Sequence, residues 1–368
     1  MRSLKIKKSH ILITAVNAVF LTAVVILGIV GNLLARSHKY NYTAELWKNG
    51  GSENFSQISC YFSESAGFST DLIQQTRGTF TQELKNISVT SDTKLFPDSY
   101  STDGGKVTVT GDLSGRSDAQ LTVAGGDFFF FRNFNLLDGA YFSESDTMQD
   151  GAVIDTDLAW SLYGSYKVSG MNIFINGVKF YISGVIAAPS VQSEIDCSGS
   201  LPRIYIPYET SSLVTADKNS SSEKFTRITC YECVLPDPVE NFAFSMVKKQ
   251  FSETYSGNVS IVNNSKRFLP QKRAKAFMNL SDYAVRKDGI VFPYWENASR
   301  KTEFRLSFIY FFRNILLAPP LITLAVLVFR CVKKLKVLKK QVKDRIISVF
   351  EKKRWEISQK IKERSSKP

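Results

Sequence analysis

Histidine is almost missing from this chain: 368 residues contain two, His10 and His38. Everything after residue 38 therefore lacks the imidazole of a Ser-His or Cys-His nucleophile pair and of a histidine zinc site. A glycine-rich loop ending in Lys-Ser/Thr is also missing, which excludes the usual phosphate cradle of an ATP-hydrolysing domain. An enzyme would have to work with carboxylates, lysine or cysteine alone. The expectation is no catalytic residue, no cofactor and no metal. The acidic run Asp146, Asp150, Asp155 and Asp157 lacks the ligand periodicity of a calcium loop and reads as a solvated turn.

Cysteine is sparse but placed with a pattern. Cys60, Cys197, Cys230 and Cys233 fall in the long middle segment, with Cys331 apart. Four cysteines allow three complete pairings, and spacing does not choose among them. Cys230-Tyr-Glu-Cys233 has redox spacing, yet it lies in a predicted strand rather than at a helix N-terminus, where such thiols are activated. A structural disulfide is the preferred reading, free thiols the next. Cys60 falls in the corresponding strand of an earlier segment, so a pairing with Cys230 or Cys233 is one alternative.

Long apolar runs, by contrast, are present twice. Residues 11–34, ILITAVNAVFLTAVVILGIVGNLL, are uncharged and of bilayer-spanning length. Arg2, Lys5, Lys7 and Lys8 precede the run, as in a signal peptide, but no clean cleavage site follows, so an uncleaved anchor over 10–34 is expected. The second run, FIYFFRNILLAPPLITLAVLVF at 308–329, ends against a basic block and reads as a span over 306–330, kinked at Pro319 and Pro320. The formal charge of +13 resolves into +4 over residues 1–9, +11 over 330–368 and −2 between them. Positive ends beside both spans place residues 1–9 and 331–368 in the cytoplasm and 35–305 outside. The outer segment is not basic as a whole, so nucleic acid is not an expected partner. Asn-x-Ser/Thr triplets at Asn41, Asn54, Asn86, Asn219, Asn258, Asn263, Asn279 and Asn297 would matter only in a glycosylating host.

Within the outer segment, NFSQISCYF (54–62) predicts a strand and FSTDLIQQTRGTFTQELK (68–85) a helix capped by Ser69. KVTVTGD and AQLTVAGGDFFFF predict strands joined by a polar turn. The pattern returns as FTRITCYECVL (225–235), a helix over 238–255 with Pro238 in its first turn, and NVSIVNN (258–264). Two β-α-β halves around an insert predict an α+β fold, a split ferredoxin-like sandwich. In VSGMNIFINGVKFYISGVI (168–186), Asn176-Gly177 between β-rich runs predicts a hairpin turn, framed by Gly170 and Gly184. No helix follows, so these glycines do not form a dinucleotide loop.

Three segments in order, DFFFFRNFNLLDGAYFSESD, GAVIDTDLAWSLYGS and the hairpin just quoted, followed by RIYIPYETSSLV, carry a resemblance. Together they are similar to the extracytoplasmic core domain of MacB-type ABC transporter permeases, over roughly 10–330. The resemblance implies a porter lobe, about 45–126 and 206–290, and an inserted, mostly-β sabre lobe, about 127–205. It also implies dimerisation and a separate ATPase that drives export of peptides or small molecules, or lipoprotein release. The family has three spans after its outer domain; here one apolar run is followed by a polar segment, so a truncated or accessory subunit is expected.

That polar segment repeats Leu335, Leu338, Val342, Ile346, Val349, Ile357 and Ile361 at helical spacing among basic residues. Lys333, Lys334, Lys336, Lys339, Lys340 and Lys343 are expected to meet anionic lipid, with helix pairing as the alternative. Lys266, Arg267, Lys272, Arg273 and Lys275 read as a solvated face. The combined expectation is a non-catalytic component of an ABC export complex. Its partners would be membrane lipid, an ABC ATPase or multi-span permease subunit, and a second copy. A two-span receptor signalling through its tail is the alternative, and an extracytoplasmic enzyme the third.

Overall fold

The computed structural model describes residues 8–89, 94–214, 227–279 and 289–365. Arg2, Lys5, Lys7 and the triplet at Asn219 lie outside the described residues. Two compact units divide the chain: residues 1–29 with 312–368, and residues 30–311.

The chain starts with α1 (Lys8–Arg36), whose stretch His10–Arg36 has a mean hydropathy of 2.5. In the larger unit, β1 (Phe55–Phe62), α2 (Thr70–Asn86) and β2 (Asp98–Gly111) form one β-α-β half. The second half is β9 (Cys230–Pro236), α6 (Phe242–Ser252) and β10 (Val259–Asn263). They interleave in the order β10-β1-β9-β2, antiparallel at every step. Each half's two strands thus run parallel with a strand of the other half between them, which is the ferredoxin-like arrangement.

The sheet continues past β2. β3 (Arg116–Gly126) pairs with it in a long hairpin whose register shifts between Asp103 and Gly105. Below that bulge β2 pairs with β9, and above it β2 also pairs with β6 (Asn172–Ile175). β8 (Arg203–Pro207) lies parallel to β3, followed by β5 (Gly151–Asp155), β7 (Val178–Ile186) and β4 (Leu136–Gly139). One ten-stranded sheet therefore runs from the ferredoxin-like half through the insert. Asn176 and Gly177 turn the β6–β7 hairpin with φ of 48° and 85°, both left-handed as that two-residue turn requires.

Three local expectations change. The four phenylalanines do not extend β3; α3 (Phe128–Arg132) forms there instead. A strand alternates its faces, whereas one helical turn buries Phe128, Phe129 and Phe131 together. α6 begins at Phe242 rather than at Pro238, because the Asp237 carboxylate accepts the Ala243 amide at 3.1 Å and sets the first turn. Ser69 occupies the cap position of α2, but its side chain makes no capping bond.

β1 explains why its alternation reads as only partial. Ile58, Cys60 and Phe62 enter a core with Phe80 and Leu84 of α2 and Val247 and Phe251 of α6. Each such apolar side chain, fully buried, stabilises the fold by about 1.5–3 kcal/mol. The opposite face carries Gln57, Ser59 and Tyr61 with Glu232 of β9, and these polar residues are buried too. What covers them is the site described next. The chain closes with α7 (Tyr294–Ser365), which runs through Pro319 and Pro320 without a break. The expected span and tail are thus one helix. Within the smaller unit, Thr323 donates to the Pro319 carbonyl at 2.9 Å and lies 3.5 Å from Asn17 of the other apolar segment.

Candidate functional site

The polar face of the ferredoxin-like half meets the two segments that adjoin the apolar helices, residues 38–43 and the first turns of α7. On α7, Glu296, Ser299, Arg300, Thr302 and Glu303 recur at helical spacing and lie on one stripe. The Arg267 guanidinium binds Glu296 through two parallel bonds of 2.8 and 3.0 Å and reaches Glu303 at 3.3 Å. Glu296 also accepts from Tyr61 of β1 at 2.9 Å and from Arg300 at 2.8 Å. Arg273 completes the group with a 3.1 Å contact to Glu303.

The bonds continue across the sheet. Arg267 donates to Asn264 at 2.8 Å, Asn264 to Ser59 at 2.7 Å, and Ser59 to Glu232 at 2.7 Å. Glu232 then pairs with Arg132 of α3, and both side chains are buried. The stem after α1 joins from the side. Asn41 donates to Ser299 at 2.8 Å, Tyr40 donates to the Trp295 carbonyl at 2.9 Å, and Gln57 donates to the Tyr40 carbonyl at 2.7 Å. His38 is fully buried, with Nε2 2.6 Å from Thr302 and 3.2 Å from Ser193 of α5 (Gln192–Ser198). One hydrogen-bonded chain thus links both stems, the central strands and the insert.

Its electrostatics are those of a fixed joint. Burial pushes the Glu296 carboxyl up, but Arg267 and Arg300 outweigh it and hold it below its ordinary value of 4.5. Burial also raises the thiols of Cys60, Cys230 and Cys233 well above the ordinary range, so they are unreactive thiols rather than thiolates. The hydroxyls that neighbour His38, those of Thr302 and Ser193, are buried with it. The joint transmits force.

Arg267 and His38 are what the sequence reading missed. Arg267 was expected on a solvated face and is instead buried at the centre of the network, because two carboxylates of α7 neutralise it. Spacing offered one signal: polar residues recurring every three or four positions just ahead of an apolar run. Asp155, read as part of a solvated turn, is also buried; it caps α4 (Thr156–Tyr163) and accepts the amides of Leu158 at 2.9 Å and Arg203 at 2.8 Å. The other expected positions are scattered. All five cysteines are free; Cys60 faces Tyr231 across the ladder, while Cys230 faces Tyr61 and Cys233 faces Ile58. Lys333, Lys334, Lys336, Lys339, Lys340 and Lys343 are exposed along α7. Asn41 is buried and cannot serve as a glycan acceptor. Among the described residues no cluster of His, Cys, Asp and Glu is placed to hold a metal.

Asp155 carries a pH dependence. Burial lifts its carboxyl from 3.8 to about 6 despite the two amide bonds. A raised carboxyl favours the folded state most below the unfolded value, and that advantage is lost as pH rises through about 6. Denaturation midpoints across this range are expected to fall with rising pH, and an Asp155→Asn variant to flatten that decline. An unchanged slope in the variant would refute the assignment.

A family model for the MacB-like periplasmic core domain matches residues 21–230, more than half of the chain. The chain belongs to that family. MacB-like solved domains include the periplasmic region of MacB from Actinobacillus actinomycetemcomitans. It is 14% identical, covers 62% of this chain and 94% of its own, and superposes with a TM-score of 0.37. The extracellular domain of the noncanonic ABC-type transporter YknZ from Gram-positive bacteria is 12% identical, covers 56% and 100%, and also has a TM-score of 0.37. No curated protein matches. In this MacB-like domain the matched segment runs from within α1 to the first residue of β9.

Proposed function

We propose that this MacB-like protein is a non-catalytic component of an ABC-type export complex. Its outer domain passes movement between its two membrane stems and the substrate or partners outside. The observation that carries this reading is the continuous hydrogen-bonded path from residues 38–43 and the start of α7 to Arg132 of α3. Buried ion pairs joined by hydrogen bonds have few alternative arrangements, so displacing one stem displaces the sheet face that it holds. In this reading residues 35–305 lie outside a bacterial inner membrane, both ends are cytoplasmic, and the porter and sabre lobes divide near residues 127 and 205. The energy comes from a separate ATP-hydrolysing chain, acting with a multi-span permease subunit or a second copy of this chain.

The test is recovery of tagged full-length protein from native membranes. Enrichment of a chain with an ATP-binding phosphate loop is expected; if neither such a chain nor a multi-span permease is enriched over an untagged control, the reading fails and the receptor alternative gains.

The basic segment of α7 supports a contact with anionic lipid. Each basic residue near such a surface contributes about 1 kcal/mol, so the six lysines from 333 to 343 together are substantial. In anionic nanodiscs, chymotrypsin cleavage at the exposed Phe350 and Trp355 is expected to slow by about tenfold relative to neutral ones. Salt near ~1 M, where the Debye length is about 3 Å, should abolish the difference, as should replacing the six lysines by glutamine. Equal cleavage in both lipids would remove the lipid contact.

A further inference from the structure

A second feature of the larger unit shares Arg132 and Trp295 with the joint. Beside it lies a cavity of about 620 Å³, between the stem after α1, the loop after α3, the end of β7 and the first residues of α7. Its size falls within the usual range for small-molecule sites, about 300–1,000 Å³. Arg132, Arg203, Tyr205, Tyr294 and Trp295 line it. Arg132, Arg203 and Trp295 are only 3%, 6% and 4% exposed.

Those three side chains are short of acceptors. Arg132 uses Nη2 on Glu232, while its Nε and Nη1 have no hydrogen-bond partner among the described residues. Arg203 gives Nη2 to the Ser198 carbonyl, and its Nε is likewise unpartnered. The indole Nε1 of Trp295 is the fourth such atom. Buried N–H groups are nearly always bonded, so four unpartnered nitrogens around one cavity call for a molecule that brings acceptors. Aromatic faces fix the two guanidinium groups: Arg132 lies 4.4 Å from the Trp295 ring centre and Arg203 3.7 Å from that of Tyr294. The cavity's own carboxylates do not fill the need. Both oxygens of Asp155 accept backbone amides, and Glu194 lies 3.7 Å from His38.

We propose that this cavity binds a small carboxylic acid with a flat apolar body. The carboxylate takes the donors of Arg132, Arg203 and Trp295; the body packs on Tyr205, Tyr294 and Trp295. Because the walls come from both stems and the insert, an occupant would clamp the elements that the joint connects. The proposal stands on the cavity alone and is independent of the export reading.

Calorimetric titration of the full-length protein in detergent tests it, with phenylacetate as probe and phenylethanol and inorganic phosphate as comparisons. Saturable phenylacetate binding is expected. Arg203→Met should weaken it at least about tenfold, as loss of a charged hydrogen bond does. Trp295→Phe keeps an aromatic ring but removes the N–H donor, and should weaken binding several-fold. A thermal melt of each variant, with the wild-type cooperativity retained, confirms folding. Four results would overturn the proposal: no saturable binding at millimolar phenylacetate, phenylethanol binding equally well, phosphate binding alone, or affinities untouched in both variants.

Discussion

Replacing Arg267 by leucine is expected to destabilise the outer domain by about 3–5 kcal/mol, the cost of leaving buried carboxylates without their partner. Glu296 and Glu303 are 1% and 9% exposed at the side chain, so water cannot take over the lost contacts. Arg300 and Arg273 still face them, which sets the expectation toward the lower end of that range. The double variant Arg267→Leu with Glu296→Leu should lose less than the two single losses added together, because the closest pair is then removed as a unit while Glu303 keeps Arg273. Chemical denaturation of the full chain in detergent, followed by tryptophan fluorescence, measures both. A loss below about 1 kcal/mol for Arg267→Leu would mean that the network is wet and weak, like an exposed ion pair. Glu296 also sets a pH limit. Its carboxyl is held below the ordinary 4.5, so its contribution is complete above that value and is lost as pH falls through the lower folded value. That slope is opposite to the one expected of Asp155.

Gly139→Ala is the second change with a large expected effect. Gly139 closes β4 with a φ of 71°, and an added Cβ would lie 2.1 Å from the Ser183 carbonyl oxygen of β7. A left-handed backbone alone costs a side chain about 1–2 kcal/mol. The collision with another strand's backbone adds to this, since neither partner is a flexible side-chain end. A total above about 3 kcal/mol is expected, with loss of the β4–β7 pairing. Gly170 provides the comparison: its φ is 85°, but nothing lies within 4 Å of its Cβ position. Gly170→Ala should therefore cost only the backbone term. If the two variants melt together, the close approach at Gly139 is not what holds that strand.

The two halves, their helices and the hairpin were legible because each rests on short-range rules. Alternation gave β1 and β10, 3.6-residue spacing gave α2, and Asn176-Gly177 gave the turn between β6 and β7. The α3 turn was not legible, since four consecutive phenylalanines satisfy strand propensity equally well and only their shared burial decides. The joint was hidden for a different reason. Arg267 looks solvated until α7 brings Glu296 and Glu303 to it, and no local pattern ties position 267 to position 296. The cavity donors are harder still, because Arg132, Arg203 and Trp295 come from three distant segments and are distinguished by the bonds that they fail to make.

The unbroken ladder through β2, β3 and β8 has a practical outcome for anyone dissecting the outer domain. Excising the insert near residues 127 and 205 would remove most of β8, and β3 would lose the parallel partner that matches Gln120 through Ala124. It would also strip β6 from the far end of β2. The remaining half would carry a bare strand edge of the kind that recruits other copies and precipitates. The insert is stitched in along a seam rather than hung from a tether, and an isolated half would need a capping strand before it could stay in solution.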